Sequence, residues 1–397
     1  MIRIREIRAF SIRSDMVGAL YREAEGAAAT TPRRPPWTKD AEVAGPMSGY
    51  ARFKALRSSW RLDGAVGCLV TASDGTTGFG VSRYGTPVIA LINEHFAPLL
   101  AGENALATDR LWDMMMRLAS PYSPAGLASY AISAVDLALW DLKGKILRVP
   151  VYELAGGPAR ESQVCYATGN DTDWHLELGF KATKLACPFG AFDGLDALTR
   201  NEEFVAAHRE IIGPDVELML DCWMAFDVEF AVRLAERLRP YRLRWIEDCL
   251  TPENMDAHAA LRRRLPWQSL AGGEHWYTPY PFAHAAARQL VDVFQPDVCW
   301  AGGFSGCQRI NHIAEAAGIE VILHAGMNTP YGQHFSFANA NVGWGEYFVG
   351  AAPGVPLEET VVFAGMATPK DGRLVPNDEP GFGLGLTETA LERMRLA

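Results

Sequence analysis

The sequence predicts an α/β fold: a parallel (β/α)8 TIM-type barrel joined to a smaller α+β unit. Two observations carry the barrel. Between Leu218 and His324, short apolar runs end in a polar residue at near-equal steps: Val216-Glu-Leu-Met-Leu before Asp221, Leu243-Arg-Trp-Ile before Glu247, Ser269-Leu-Ala-Gly-Gly before Glu274, Asp292-Val-Phe-Gln-Pro before Asp297, and Glu320-Val-Ile-Leu before His324. Between successive runs lie stretches with helical spacing, such as Phe230–Arg239. Strand, polar tip, helix, strand is the pattern of parallel βα units, and in a barrel all strand C-termini open into one mouth. A third observation carries the second unit: residues 1–126 read as alternating strands followed by helices, an α+β arrangement.

Taken in order, residues 2–13 alternate (Ile2, Ile4, Ile7, then Phe10 and Ile12) and read as a strand. Residues 59–72 and 77–84 read as two more, joined by a hairpin at Asp74-Gly75. Val17 to Arg57 lacks periodicity, and a loop of that length is either functional or disordered. Helical spacing follows over Pro87–Asn93, Ala107–Leu118 and Gly126–Leu147; Asp136 and Asp141 on the last read as capping or packing residues. The barrel is expected over residues 127–355. Its first strand is at Val164-Cys-Tyr-Ala-Thr, and its second at Ala182-Thr-Lys-Leu places Lys184 near the tip. Strands three to seven are the five runs above, and an eighth at Gly345-Glu-Tyr-Phe presents Glu346. Residues 356–397 turn irregular, and the stretches around Gly372 and Pro380 are expected to return to the N-terminal unit.

Composition narrows the function classes. The 397 residues exceed the roughly 250 of a barrel alone. A net charge of −10 with no long basic run excludes a nucleic-acid stripe; Arg33-Arg34 and Arg262–Arg264 read as solvated faces. Seven cysteines without CxxC spacing read as reduced thiols of a cytoplasmic protein. The start, Met1-Ile-Arg-Ile-Arg-Glu, carries no apolar signal segment, and no run reaches the ~20 apolar residues of a membrane span.

Asp221, Glu247 and Glu274 on neighbouring tips would repel one another in an apolar mouth, and a hard divalent cation relieves that; oxygen ligands favour Mg²⁺. The competing role for each acid is to cap the following helix. Asp297 beside His324 suits proton transfer, because a carboxylate fixes the imidazole tautomer and stabilises the imidazolium. A cation facing such a pair would bind a substrate carboxylate and stabilise the enediolate left when His324 removes the α-proton. Lys184 and Glu346 add a cation and a hydrogen-bonding group at the same mouth. Strand alternation is expected to turn His275 from the metal, and to make Cys222 and Cys299 packing thiols.

Nearly the whole chain resembles the enolase superfamily, mandelate racemase subgroup, and within it the rhamnonate dehydratase-like acid-sugar dehydratases. The segments that carry the resemblance are Gly45-Pro-Met-Ser-Gly-Tyr, Val135-Asp-Leu-Ala-Leu-Trp-Asp-Leu, Tyr166-Ala-Thr-Gly, Leu218-Met-Leu-Asp-Cys-Trp-Met, Trp245-Ile-Glu-Asp-Cys-Leu, Gly273-Glu-His, Gln295-Pro-Asp-Val-Cys-Trp and Pro380-Gly-Phe-Gly. The resemblance implies a modified (βα)7β barrel with an α+β capping domain built from residues 1–126 and the tail 356–397. It implies Mg²⁺ on Asp221, Glu247 and Glu274, His324 as general acid/base with Asp297, Glu346 facing the substrate carboxylate or its enediolate, and Lys184 at the second strand. Racemases of the subgroup carry a further lysine where Ala186 stands here, so only one face of the substrate has a proton donor. It further implies that residues 17–57 form a lid over the substrate, with Arg57, Trp37 and His275 contacting it. Pro36 stands where the rhamnonate enzymes carry a histidine. The implied reaction is syn dehydration of an aldonate to a 2-keto-3-deoxy acid by a homo-oligomer; an epimerase or cycloisomerase of the same subgroup, and a non-catalytic binding barrel, are the alternatives.

Overall fold

The computed structural model describes residues 1–12, 30–39, 41–50, 53, 64–361 and 365–386. Strands β1 (Ile4–Ile12), β2 (Ala65–Ala72) and β3 (Thr77–Ser82) form an antiparallel meander in that order. Alternation in β1 buries Ile4, Ile7, Ala9 and Ile12 on one face. The β2–β3 turn falls at Asp74-Gly75, where Gly75 has φ +91° and the Thr76 amide donates to Asp74 Oδ1 at 3.0 Å. The strand expected from residue 59 is seen from Ala65; residues 59–63 lie outside the described set.

Helices follow at Gly85–Ala90, continuing through a π turn at Leu91–Phe96 into Ala97–Leu100, and at Thr108–Ala119 and Leu127–Leu147. The last is buried almost all round, because it lies between the N-terminal sheet and the barrel. Its approach to β3 depends on Gly78 and Gly80. A Cβ on either would stand 2.1 Å from a backbone oxygen of this helix, Ala138 or Ala134. Its polar residues are joints. Ser133 Oγ accepts from the amides of Gly302 and Gly303, Asp136 accepts from Ser305 N, and Asp141 accepts from Phe79 N and Phe382 N. The packing reading of Asp136 and Asp141 holds.

Eight parallel strands then run β4 (Gln163–Thr168), β5 (Ala182–Ala186), β6 (Glu217–Asp221), β7 (Ile246–Glu247), β8 (Leu270–Gly272), β9 (Val293–Phe294), β10 (Glu320–Val321) and β11 (Trp344–Phe348). Their order is β10-β9-β8-β7-β6-β5-β4-β11, so the eighth strand returns beside the first. Tyr166, Ala182, Met219, Trp245, Ala271, Val293 and Ile322, one from each of the first seven strands or its edge, pack together and fill the interior. The mouth is therefore floored, not a channel.

The described part of the tail meets both units. Arg373–Leu374, β12, pair antiparallel with barrel strand β4. Phe382 packs edge-on to Tyr331 at 4.7 Å and against Phe304 at 6.0 Å. Its tie toward the N-terminal sheet runs through Asp141, which holds Phe79 and Phe382 on its two oxygens. The two-residue ladder holds the segment to the barrel, while Phe382 sits in the core shared with the N-terminal sheet. All seven cysteines are free and buried, and no helix among the described residues is long and apolar enough to cross a membrane.

Candidate active site

Short strands place the polar residues around one mouth. Asp221 ends β6 and Glu247 ends β7, side by side in register. Lys184 lies within β5 and Glu346 within β11; Glu274, Asp297 and His324 follow β8, β9 and β10 by two or three residues. Going round the sheet the sequence is Glu346, Lys184, Asp221, Glu247, Glu274, Asp297, His324.

His324 Nδ1 meets Asp297 Oδ2 at 2.9 Å, and Asp297 Oδ1 accepts from Cys299 N at 2.7 Å. His324 Nε2 lies 3.2 Å from Glu274 Oε2, and its side chain stays 23% exposed, enough to meet a ligand in the mouth. Burial alone would lower the His324 pKa, but Glu274 and Asp297 outweigh it and raise it to about 9. Trp300 packs on the ring at 4.8 Å.

Lys184 is buried between two carboxylates, Glu247 and Glu346, the latter at 2.9 Å. Burial would neutralise it; the two acids keep it charged, well above its ordinary pKa. Glu346 Oε1 also accepts from Thr168 Oγ1 at 2.6 Å, and Oε2 from Ala325 N at 3.0 Å. Glu346 is held below the ordinary carboxylate range because Lys184 and His324 overcome its burial. Glu247 goes the other way, to about 8: burial dominates, Lys184 opposes, and Asp221 adds repulsion. Its Oε2 accepts from Trp245 Nε1 at 2.9 Å and Gln295 Nε2 at 2.7 Å.

Among the described residues, the ligand atoms within 4.8 Å of one another belong to Asp248, Glu274 and His275. Asp221, Glu247 and Glu274 share adjoining tips, but Glu247 is held by Lys184, Trp245 and Gln295, while Asp221 Oδ1 accepts from Trp223 N. The donor set still fits a hard cation. Asp221, Glu247, Asp248 and Glu274 crowd one buried rim, and both Glu247 and Asp248 are pushed up by burial and by neighbouring acids.

His275 corrects an expectation. It is not turned away: Nδ1 lies 3.2 Å from Glu274 Oε1 and 3.4 Å from Asp248 Oδ2, between the rings of Trp223 and Trp300. Alternation ends because β8 stops at Gly272 and Gly273 takes φ +122°, so residues 274 and 275 both face the mouth. Cys222 and Cys299 are packing thiols, raised well above the ordinary thiol pKa by burial. Trp37 stands over β4 and β11, its Nε1 donating to Val349 O at 3.1 Å and its ring 5.8 Å from Phe348. Arg57 lies outside the described residues.

Several participants escaped the sequence reading. Trp245 and Gln295 lie two residues before Glu247 and Asp297, and counting back by the strand period finds them. Trp223, whose Nε1 donates to Glu274 Oε1 at 3.0 Å, Asp248 and Trp300 belong to turns that leave the strands. Trp223, Met224, Asp248 and Ala325 take φ of +40°, +63°, +48° and +46°, each just past a tip residue. Such left-handed positions cost of order 1–3 kcal/mol and cluster at functional sites.

An eight-stranded parallel sheet with an antiparallel N-terminal sheet, and acids and an imidazole on the strand tips, defines an enolase-type barrel. Residues 172–390 match the family described as "Enolase C-terminal domain-like", and residues 62–156 match "Mandelate racemase / muconate lactonizing enzyme, N-terminal domain". The chain belongs to the enolase superfamily, mandelate racemase subgroup. It is 38% identical over 364 residues to an L-rhamnonate dehydratase of Saccharopolyspora erythraea, covering 90% of this chain and 92% of that one. The structure of rhamnonate dehydratase from Gibberella zeae complexed with Mg superposes with a TM-score of 0.87 at 31% identity, covering 99% and 96% of the two chains. A 3,6-anhydro-D-galactonate cycloisomerase from Zobellia galactanivorans gives 0.73 at 28% identity, covering 83% and 94%.

Proposed function

We propose that this chain is a Mg²⁺-dependent sugar-acid dehydratase, taking an aldonate of the rhamnonate class to its 2-keto-3-deoxy acid. The observation that carries it is the His324–Asp297 pair, open to the mouth beside Glu274. The relationship to an L-rhamnonate dehydratase at 38% identity supports the substrate class.

Asp221, Glu247 and Glu274 would hold the cation, which supplies Lewis-acid binding of the substrate carboxylate and of the charge that grows there. The rest is done by side chains. With Glu274 committed to the cation, His324 would lose the neighbour that raises it most, so its Nε2 takes the proton from C2 while Asp297 holds Nδ1 and stabilises the imidazolium. Glu346, kept on Lys184 and Thr168, faces the same carboxylate or its enediolate. His324 then returns its proton to the leaving C3 hydroxyl. The C2–H and C3–O bonds break on one face, water departs, and the enol becomes the 2-keto acid. Ala186, the last residue of β5, offers no second base. Trp37 and Arg57 of the lid read the distal hydroxyls, and His275 contacts the substrate beside Glu274.

A cycloisomerase or epimerase is the second reading, favoured by the likeness to the galactonate cycloisomerase. The test is incubation of aldonates with Mg²⁺, scoring 2-keto acids. His324→Asn should keep Mg²⁺ binding and lose at least ~10² in kcat. Full activity of that variant refutes the base assignment. Inversion or exchange at C2 in D₂O without keto acid moves the reading to an isomerase.

A further inference from the structure

We infer that Asp171 is a positioning residue whose carboxylate clasps segment 30–39 onto the barrel and so sets Trp37 as the wall beside the substrate. This rests on the reading of the mouth as a sugar-acid site.

Asp171 occupies the N-cap position of the short helix Thr172–Glu177, yet its side chain makes no cap bond. An aspartate there ordinarily accepts from its own helix. This one turns to the strap instead. Oδ1 accepts from Arg34 Nη2 at 3.0 Å, and Oδ2 accepts from the Trp37 amide at 2.8 Å. The carboxylate is 11% exposed, so both bonds are sheltered.

The surroundings extend the clasp. Arg34 also reaches both oxygens of Asp173, at 2.6 and 2.8 Å. Arg33 pairs with Glu177 at 2.7 Å, and its guanidinium lies over Trp174 at 5.3 Å. The Arg33 amide donates to Pro353 O, and the Thr30 amide to Glu359 Oε2 at 2.9 Å. Arg33-Arg34 does lie on a solvated face, and both half-exposed guanidiniums are committed there to acids at one helix. A lone exposed ion pair contributes little, whereas a network that shares a sheltered carboxylate and a backbone N–H holds one geometry.

The consequence falls on Trp37. Its ring packs on Phe348 and directly on the backbone of Gly169, one residue past Thr168, which bonds Glu346. The clasp thus ends as an indole wall over the β4 and β11 tips, next to the acid that faces the substrate. Asp171 on the Trp37 amide, itself held by Arg34, adds to the Val349 and Phe348 contacts that keep the indole in place.

The test separates the clasp from the chemistry. Amide exchange of the peptide spanning residues 30–39 is measured without substrate for wild type and for Arg34→Gln, a surface change that leaves the barrel folded. It should accelerate about tenfold, about 1.4 kcal/mol, with barrel peptides unchanged. With a sugar acid, KM should rise about tenfold while kcat stays within about threefold, and 0.5 M NaCl should raise the wild-type KM but not the variant's. Asp171→Asn, whose amide oxygen can still accept from Trp37 N, should fall between wild type and Asp171→Ala. Unchanged exchange in Arg34→Gln overturns the clasp, and faster exchange with an unchanged KM overturns Trp37 as a substrate wall. If the wild type turns over no sugar acid, the functional reading fails while exchange alone still decides the clasp.

Discussion

At the scale of residues, the imidazole is governed by what its two nitrogens touch. Nδ1 is tied to Asp297 and Nε2 looks toward Glu274 and the mouth. Replacing Asp297 with Asn keeps the shape but removes the charge that fixes the tautomer and steadies the imidazolium. The expected result is a kcat drop of about 10²–10⁴ with a KM change under about threefold, read by steady-state keto-acid formation. How much of this was legible is uneven. Asp221, Glu247, Glu274, Asp297 and His324 were visible because each closes an apolar run. Asp248 and Trp300 were not, because their direction depends on turns: Asp248 sits at φ +48°, and Trp300 reaches His324 only after the chain leaves β9. His275 was misread for the same reason, since period-two reasoning fails once Gly273 turns the chain.

At the scale of elements, the joint between β3 and the helix Leu127–Leu147 is the tightest. Gly80 faces Ala134 O, which a Cβ would approach to 2.1 Å, and that oxygen belongs to a helix clamped by Ser133, Asp136 and Asp141. Neither side can give. Gly80→Ala should destabilise the protein by about 1–3 kcal/mol or more, seen as a lower urea midpoint with the slope retained. The sequence marked the strand and the helix by their apolar spacing, but not that they touch through glycine. The same holds for β7, β9 and β10. Their apolar runs are longer than the two residues that enter the ladder, because barrel tilt and the early turn to each tip shorten the paired part.

At the scale of the whole molecule, acid should loosen the fold through buried neutral histidines. Burial drives His175 and His334 down to about 3, from the ~6.5 of a free imidazole. His334 Nδ1 accepts the Tyr152 amide, which a protonated ring cannot do, and His175 Nδ1 sits 2.6 Å from Thr183 Oγ1. Between about pH 6.5 and 3 the unfolded chain binds more protons than the folded one. Stability from these groups is thus complete above 6.5 and declines as pH falls, by an amount on the order of a few kcal/mol. His324 runs oppositely: raised to about 9, it stabilises below 6.5 and loses that as pH climbs through 9. Thermal melts of wild type against His334→Gln from pH 4 to 8 isolate this limb, because Glu247, raised to about 8, acts in the opposite direction as pH falls; a wild-type advantage that does not shrink from 6.5 to 4.5 contradicts it. Of these histidines, the sequence showed only helical spacing for His175 and no distinguishing signal for His334.

By itself the amino-acid order determined the periodic content of the chain: eight barrel strands with their intervening helices, an antiparallel meander before them, and the polar residue each strand delivers to its tip. Those are local properties, since apolar alternation and turn residues act over a few positions. Tertiary structure alone decided which tips meet, that Glu247 turns to Lys184, that His275 faces inward, that the tail adds a strand to the barrel, and that Arg34 finds Asp171 across 137 residues of chain. Each of those is a choice among partners far apart in sequence, settled by the closure of the sheet and by the need of buried charges to find one another.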